Sequence, residues 1–160
     1  MRFNFLLAVF ALSGCATTVN PTKVDPANSA GIVNQMDRSR GFFNWRLFIL
    51  QAADSVPVVY ALMSDGRDDT VLVREGTRRL VVRASFSTQY GVGPWEAIVF
   101  LTATVKSGRT YLINGEVRDN LYFVWLEDPQ SHEKISAEGS APYQPGRRDS
   151  APIFVPLPRR

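Results

Sequence analysis

The chain has one cysteine and one histidine in 160 residues, and those two shortages remove most metal and nucleophile chemistry. With Cys15 alone no internal disulfide can form, so the fold must be held by its core. A lone His132 cannot supply a His/Cys ligand set, and no metal or other cofactor is implied. That histidine lies in Asp128-Pro129-Gln130-Ser131-His132-Glu133. This is loop chemistry, and it points to a solvated histidine rather than the base of a Ser-His-Asp arrangement. A basic face is missing too. The formal charge of +3 sets 18 Lys and Arg against 15 Asp and Glu, yet Arg2 opens the chain and Arg147, Arg148, Arg159 and Arg160 fall in its last stretch. The segment between is close to neutral. A nucleic-acid binder concentrates its Lys and Arg on one face of the fold, so that class is excluded.

What is present begins at the amino terminus. Met1-Arg2 is followed by an apolar run, Phe3 to Leu12, broken only by Asn4. A charged start, a short apolar stretch and small residues form a secretory signal. The run is about ten residues against the roughly 20 of a membrane-spanning helix. Then comes Leu12-Ser13-Gly14-Cys15, which resembles the lipobox read by the bacterial lipoprotein signal peptidase. The resemblance implies removal of residues 1–14, a diacylglyceryl group on the Cys15 sulfur and acylation of the new amino terminus. Several acyl chains, at about 0.8 kcal/mol per buried CH₂, anchor more firmly than one. The implied partner is the lipid bilayer, through acylated Cys15. Ala16 stands where Asp would resemble an inner-membrane retention signal, so the expected address is the periplasmic face of the outer membrane. The competing reading is an ordinary signal cut after Ala16.

About 145 residues then remain, enough for one domain with a real core. Residues 15–40 read as the lipidated cysteine and a flexible tether, because Thr17, Thr18, Asn20, Pro21, Pro26, Asn28 and Ser29 carry no apolar period. From residue 41 to 138 short β-branched and aromatic runs alternate with turn residues. Strands are predicted near 44–51, 56–63, 70–74, 78–87, 95–105, 109–118, 121–127 and, weakly, 133–137. Leu80, Val82, Ala84 and Phe86 share one face of their strand. Trp95, Ala97, Val99, Leu101, Ala103 and Val105 share one face of theirs. Period-two patterning is the mark of antiparallel sheets with one buried side. The expected fold is all-β, an antiparallel sandwich of about seven to eight strands after a signal helix and tether. Residues 139–160 form a Pro/Arg-rich tail, disordered or extended like polyproline, in which Ile153-Phe154-Val155 is apolar enough to dock.

Two turns fix expected registers. Asp119-Asn120 suits a two-residue hairpin loop, which sets Arg118 opposite Leu121, Val117 opposite Tyr122, Gly115 opposite Val124 and Ile113 opposite Leu126. A three-residue loop at Lys106-Ser107-Gly108 sets Ala103 opposite Tyr111 and Leu101 opposite Ile113, with Gly108 left-handed. A two-residue loop there would turn one apolar stripe away from the other. If Val117, Tyr122, Val124 and Leu126 face the core, then Leu112, Leu121, Phe123 and Trp125 face the other way. These four are the candidate interaction face. Either they are covered within the chain, by Phe42-Phe43 or Ile153-Phe154-Val155, or they await an envelope protein partner.

Three segments resemble a group of small bacterial lipoproteins with an immunoglobulin- or transthyretin-like sandwich, mostly of unknown function. They are Val71 to Val82 with its Glu75-Gly76 turn, Ser107-Gly108-Arg109-Thr110-Tyr111, and Trp125-Leu126-Glu127-Asp128. Glu75 departs from the group's usual proline and Ser107 from its alanine. The resemblance covers roughly residues 45–130 and implies a fold; it implies no enzyme, cofactor or site.

The remaining chemistry is sparse. Ser64-Asp65-Gly66-Arg67-Asp68-Asp69 has the acidity of a Ca²⁺ loop without the alternating ligands or distal Glu of an EF-hand, so it reads as a solvated turn. Glu116, Asp119, Glu127 and Asp128 lie on different faces or ends of a hairpin, unlike the paired carboxyls of a glycosidase. Arg78, Arg79 and Arg83 form a basic stripe that suits either anionic headgroups or protection of a sheet edge. The expectation is a non-catalytic envelope module that contacts another envelope component. The alternative is a cell-wall or saccharide-binding or processing protein using its aromatics, in which carboxylates would converge with Trp95 or Trp125 in a pocket.

Overall fold

The computed structural model describes residues 24–38, 44–60, 66, 69–87 and 93–146. A single 3-10 turn, Pro26–Asn28, leads into β1 (Ser29–Val33) and β2 (Gln35–Asp37). Then follow β3 (Trp45–Ala53), β4 (Val56–Pro57), β5 (Thr70–Arg74) and β6 (Gly76–Ser87). The last are β7 (Trp95–Val105), β8 (Thr110–Arg118), β9 (Leu121–Glu127), β10 (Gly139–Pro142) and β11 (Gln144–Pro145).

Alternation decides how these strands stack. β6 and β7 pair antiparallel with Leu80 opposite Leu101, Val82 opposite Val99 and Ala84 opposite Ala97, so two apolar stripes fuse into one buried face. β3 adds Phe48 and Leu50 from the far side of β6. This sheet runs β11-β7-β6-β3-β2, with β4 also against β3. The facing sheet runs β10-β9-β8-β1-β5, and all its pairs are antiparallel except β1 with β8. Ile32, Val71, Val73, Tyr111, Ile113, Tyr122, Val124 and Leu126 fill its inner side. The protein is an all-β sandwich. Each fully buried Val, Leu, Ile or Phe contributes about 1.5–3 kcal/mol of transfer free energy. Arranged edge to face or tilted, Trp95, Tyr143, Phe86, Tyr122 and Phe48 stack in succession across the core, with centroids 4.9–6.0 Å apart.

Polar bridges join the sheets. Arg46 on β3 pairs with Asp37 and donates through Nη1 to the Gly115 carbonyl of β8 at 2.7 Å. Asn34, fully buried, stands where the chain leaves β1 in one sheet for β2 in the other. Its Oδ1 accepts the Leu50 amide at 2.8 Å. Its Nδ2 lies within bonding distance of the Gly66 carbonyl, 2.6 Å, and the Tyr60 hydroxyl, 3.0 Å. Tyr60 in turn donates to the Leu50 carbonyl.

The hairpin at Asp119-Asn120 has the expected register, and both turn residues are left-handed. The second expected hairpin does not form. β7 and β8 lie in opposite sheets, and Lys106 to Arg109 is an arch between them. The pattern required only that both stripes reach one core, and facing strands meet that requirement as well as neighbouring ones. Gly108 is left-handed as expected, with φ +68. Its amide donates to the Ser29 carbonyl and the Arg109 carbonyl accepts from Gly31, each at 2.9 Å. Tyr111 turns back to accept the Lys106 amide at 3.1 Å, a tyrosine corner in its geometry.

The expected boundaries also shift. The tether over 15–40 gives way at Ser29 to β1, which lies between β5 and β8 with Ala30 and Ile32 fully buried. Tail residues 139–145 are strands β10 and β11 rather than a free arm. The sandwich therefore spans 29–145 instead of 41–138, with eleven strands among the described residues rather than seven to eight. Of the strand expected at 56–63, only Val56–Pro57 forms among the described residues, and 133–137 yields one bridge, Glu127 to Lys134. The expected signal helix and Cys15 lie outside the described residues, as do Phe42-Phe43 and Ile153-Phe154-Val155.

Candidate functional site

β9 is apolar from Leu121 to Leu126 because it is packed on both sides. Tyr122, Val124 and Leu126 point inward and are fully buried. On the outer side Leu112, Leu121 and Phe123 are half-buried, while Trp125 is buried at 7 % exposure. The candidate interaction face is therefore brought together by the β8–β9 register but is not bare. Among the described residues its cover is polar, and the two segments expected to supply it lie outside the described residues. The Arg118 guanidinium lies 3.9 Å from the Phe123 ring centre, and Lys134 Nζ lies 3.8 Å from that of Trp125. Glu138 binds both cations. Their pull, with the Lys134 hydrogen bond the largest cause, holds its carboxyl below the usual range.

The loop after β9 carries this cover and is tied down at several points. Ile135 donates its amide to the Leu126 carbonyl at 2.8 Å, and the Leu126 amide donates to Ser136 Oγ at 2.9 Å. Asp128 Oδ1 accepts the amides of Gln130 and Ser131. Those two bonds, Ser131's first, hold its carboxyl below the usual range. Glu127 is buried and uses both oxygens: Asn114 Nδ2 at 2.9 Å and Trp125 Nε1 at 3.3 Å donate to Oε2, and His132 Nδ1 sits 3.2 Å from Oε1. His132 is in a left-handed conformation with its side chain 71 % exposed, matching a loop histidine. The Ile135, Ser136, Asp128 and His132 contacts order the loop and hold it to β9, while the Asn114 and Trp125 bonds to Glu127 lie within the β8–β9 sheet.

The basic stripe separates into different roles. Arg78 is a latch: it donates to Asp54 Oδ2 at 2.8 Å, to the Arg74 carbonyl at 3.0 Å and to the Glu75 carbonyl. Asp54 also accepts the Arg79 amide at 2.9 Å. That bond is the largest cause holding the Asp54 carboxyl below its ordinary value, with the Arg78 bond next. Arg79 is exposed and Arg83 half-buried. The acidic run at 64–69 is described only at Gly66 and Asp69, which support Asn34 through backbone carbonyls.

A cleft of about 220 Å³ opens between β4 and β5, lined by Val24, Val56, Val58, Val71 and Val73 with Asp54, Arg74 and Arg78 also in its wall. Neither Trp95 nor Trp125 lines it. Trp95 instead packs against Tyr143, and Trp125 under Lys134. Among the described residues no group of three or more His, Cys, Asp or Glu could hold a metal ion. No family model, no curated protein and no solved structure matches the chain.

Proposed function

We propose that this chain is a lipid-anchored protein of the bacterial cell envelope, akin to the small sandwich lipoproteins it resembles. Residues 1–14 are removed, Cys15 is acylated, and the sandwich is held at the periplasmic face of the outer membrane as a non-catalytic interaction module. The observation that carries this reading is Leu12-Ser13-Gly14-Cys15 after a short apolar run, in a chain with no other cysteine. The entry into the fold supports it. Asp25 caps the turn at Pro26–Asn28 through the Ala27 amide, so the domain starts soon after the anchor. The nine steps from Cys15 to Val24 span at most roughly 30 Å, which keeps the sandwich near the membrane surface. The non-catalytic part rests on how the ionisable groups are used, since Glu127, Asp54, Asp128 and Glu138 all serve local structural bonds.

The test is Cys15→Ser in the native host, with labelled palmitate and detergent-phase partitioning as readouts. Wild type is expected to take up label and partition with detergent, and the variant to do neither. A variant that remained acylated and membrane-bound would refute the anchor.

A further inference from the structure

The two outer faces of the sandwich are treated differently. The one on β8 and β9 is shielded by Arg118 and Lys134, whereas the one on β6 and β7 carries Phe100 at 70 % and Ile98 at 43 % exposure. Cross-strand register groups these side chains. Phe100 is opposite Val81, Ile98 opposite Arg83 and Thr102 opposite Arg79. An apolar centre of Val81, Ile98 and Phe100 thus has the exposed Arg79 at one end and the half-buried Arg83, whose Nε is buried, at the other. Along this face the residues from Thr77 to Ser85 on β6 and from Ile98 to Thr104 on β7 include no carboxylate. Glu96 lies beyond Ile98, with Ser85 Oγ 3.5 Å from its Oε1.

The chain also enters the fold close by. Val24 and Ala53 both line the same cleft, and register runs from Ala53 to Leu80 to Leu101. Phe100 is therefore one residue off the level of Ala53 and two strands away, about 10 Å. A tether of at most roughly 30 Å from Cys15 lets this face lie flat on the bilayer that holds the anchor.

We infer that the outer face of β6 and β7 is a docking surface for an anionic lipid bilayer. Phe100 and Ile98 enter the boundary between headgroups and acyl chains, and the exposed Arg79 meets the phosphates. The inference rests on the Cys15 anchor, which brings the face to the membrane. Strand addition by another protein along β7 is obstructed, because Gly139 packs so closely that an added Cβ would sit 2.3 Å from the Phe100 carbonyl oxygen.

The sole cysteine makes a direct test possible. In the mature lipidated protein Cys15 is blocked, so a nitroxide attaches only to an introduced cysteine, Thr102→Cys on this face or Glu116→Cys on the opposite one. The mature lipidated protein is reconstituted in phosphatidylcholine vesicles with and without phosphatidylglycerol, and collisions with oxygen and with a water-soluble nickel chelate are measured. With phosphatidylglycerol, the label at 102 is expected to be several-fold less accessible to nickel than the label at 116, and more accessible to oxygen. Phe100→Ser combined with Arg79→Ala should abolish that difference. Equal nickel accessibility at the two sites in anchored protein overturns the docking face and leaves the anchor standing. Labelling of Cys15 itself overturns the anchor and the docking inference with it. Shielding in native envelope membranes but not in lipid vesicles overturns it in favour of a protein occupant.

Discussion

Lys134 stands 3.8 Å over the ring of Trp125, and Arg118 stands 3.9 Å over that of Phe123, both cations held by the one carboxylate of Glu138. Among the described residues this clasp is what lies over the rings of an outward-facing tryptophan and phenylalanine. Cations over aromatic faces are worth about 0.5–1 kcal/mol at exposed sites.

Lys134→Ala should therefore expose Trp125 while costing only about that much stability. In a Trp45→Phe, Trp95→Phe background, Trp125 emission is expected to shift to the red and become more accessible to acrylamide. Glu138→Gln should produce a smaller change in the same direction, since the cations lose their tether but remain. Unchanged quenching in Lys134→Ala would mean that the backbone of the loop, not the ammonium, buries the ring.

Asn34 carries a larger share of the fold. Its amide group completes the β3 ladder at Leu50, just before β2 begins, and reaches the Gly66 carbonyl and the Tyr60 hydroxyl from a fully buried position. Asn34→Ala leaves buried backbone groups without partners, each costing about 1–3 kcal/mol, so a loss of roughly 3–5 kcal/mol is expected in urea unfolding. Asn34→Asp should also destabilise, because a carboxylate cannot donate to Gly66. A loss under about 1 kcal/mol for Asn34→Ala would show that water replaces the side chain.

Tyr60, in the same cluster, makes stability depend on alkaline pH. Burial raises its hydroxyl to about 12 from the ordinary 10.0, against a smaller lowering by the Asn34 bond. A raised folded value means that the tyrosine's contribution is fully present below the unfolded value and is lost as pH rises through the folded one. Unfolding free energy should therefore fall between about pH 10 and 12, beyond the slope due to the other tyrosines. Tyr60→Phe should remove that extra fall, although it also loses the bond to the Leu50 carbonyl. Parallel slopes for the two proteins would contradict the assignment.

At acid pH the corresponding group is Asp54. Its folded value is depressed by the Arg79 amide and the Arg78 side chain, so its contribution is present above the ordinary aspartate value and disappears as pH falls through the depressed one. Melting of wild type and Asp54→Asn should differ most near neutrality and converge in acid. Loss of the Arg78 latch should also loosen the turn at Arg74, Glu75 and Gly76.

Particular residues show where the fold was legible in the sequence. Asp119-Asn120 allowed only a tight hairpin, and with Tyr122, Val124 and Leu126 on one parity the β8–β9 register had no competing solution. At Lys106 to Arg109 the same kind of pattern was satisfied by two arrangements, side by side or face to face, and local turn chemistry could not choose between them. β1 escaped notice because Ser29-Ala30-Gly31-Ile32-Val33 is mostly small residues, yet small residues suit a strand closely flanked on both sides by β5 and β8. β10 and β11 were hidden by prolines, which edge strands accept. The four residues of the candidate face followed from parity. Their cover did not, because Arg118, Lys134 and Glu138 are polar residues, two of them in a loop, with no apolar signal to mark them.

Gly115 and Gly31 offer a last contrast, since both are strand glycines without a left-handed backbone. A Cβ on Gly115 would lie 2.3 Å from the Phe123 carbonyl oxygen, with Phe48 and Tyr122 rings 3.0 Å away. Backbone in a paired ladder cannot retreat from such a contact, so Gly115→Ala should cost about 2–4 kcal/mol and weaken the Arg46 bond to the Gly115 carbonyl. On Gly31 the nearest atom is the Thr70 methyl at 3.0 Å, followed by Thr110 Oγ1 at 3.5 Å, both side-chain ends at the outer surface. There the entropy that alanine saves in the unfolded chain, about 0.4–1 kcal/mol, offsets a modest displacement, and Gly31→Ala should be near neutral. Urea unfolding of both variants checks the ordering. Equal losses would mean that the β8–β9 ladder yields as easily as a threonine side chain, which the close approach of Phe123 argues against.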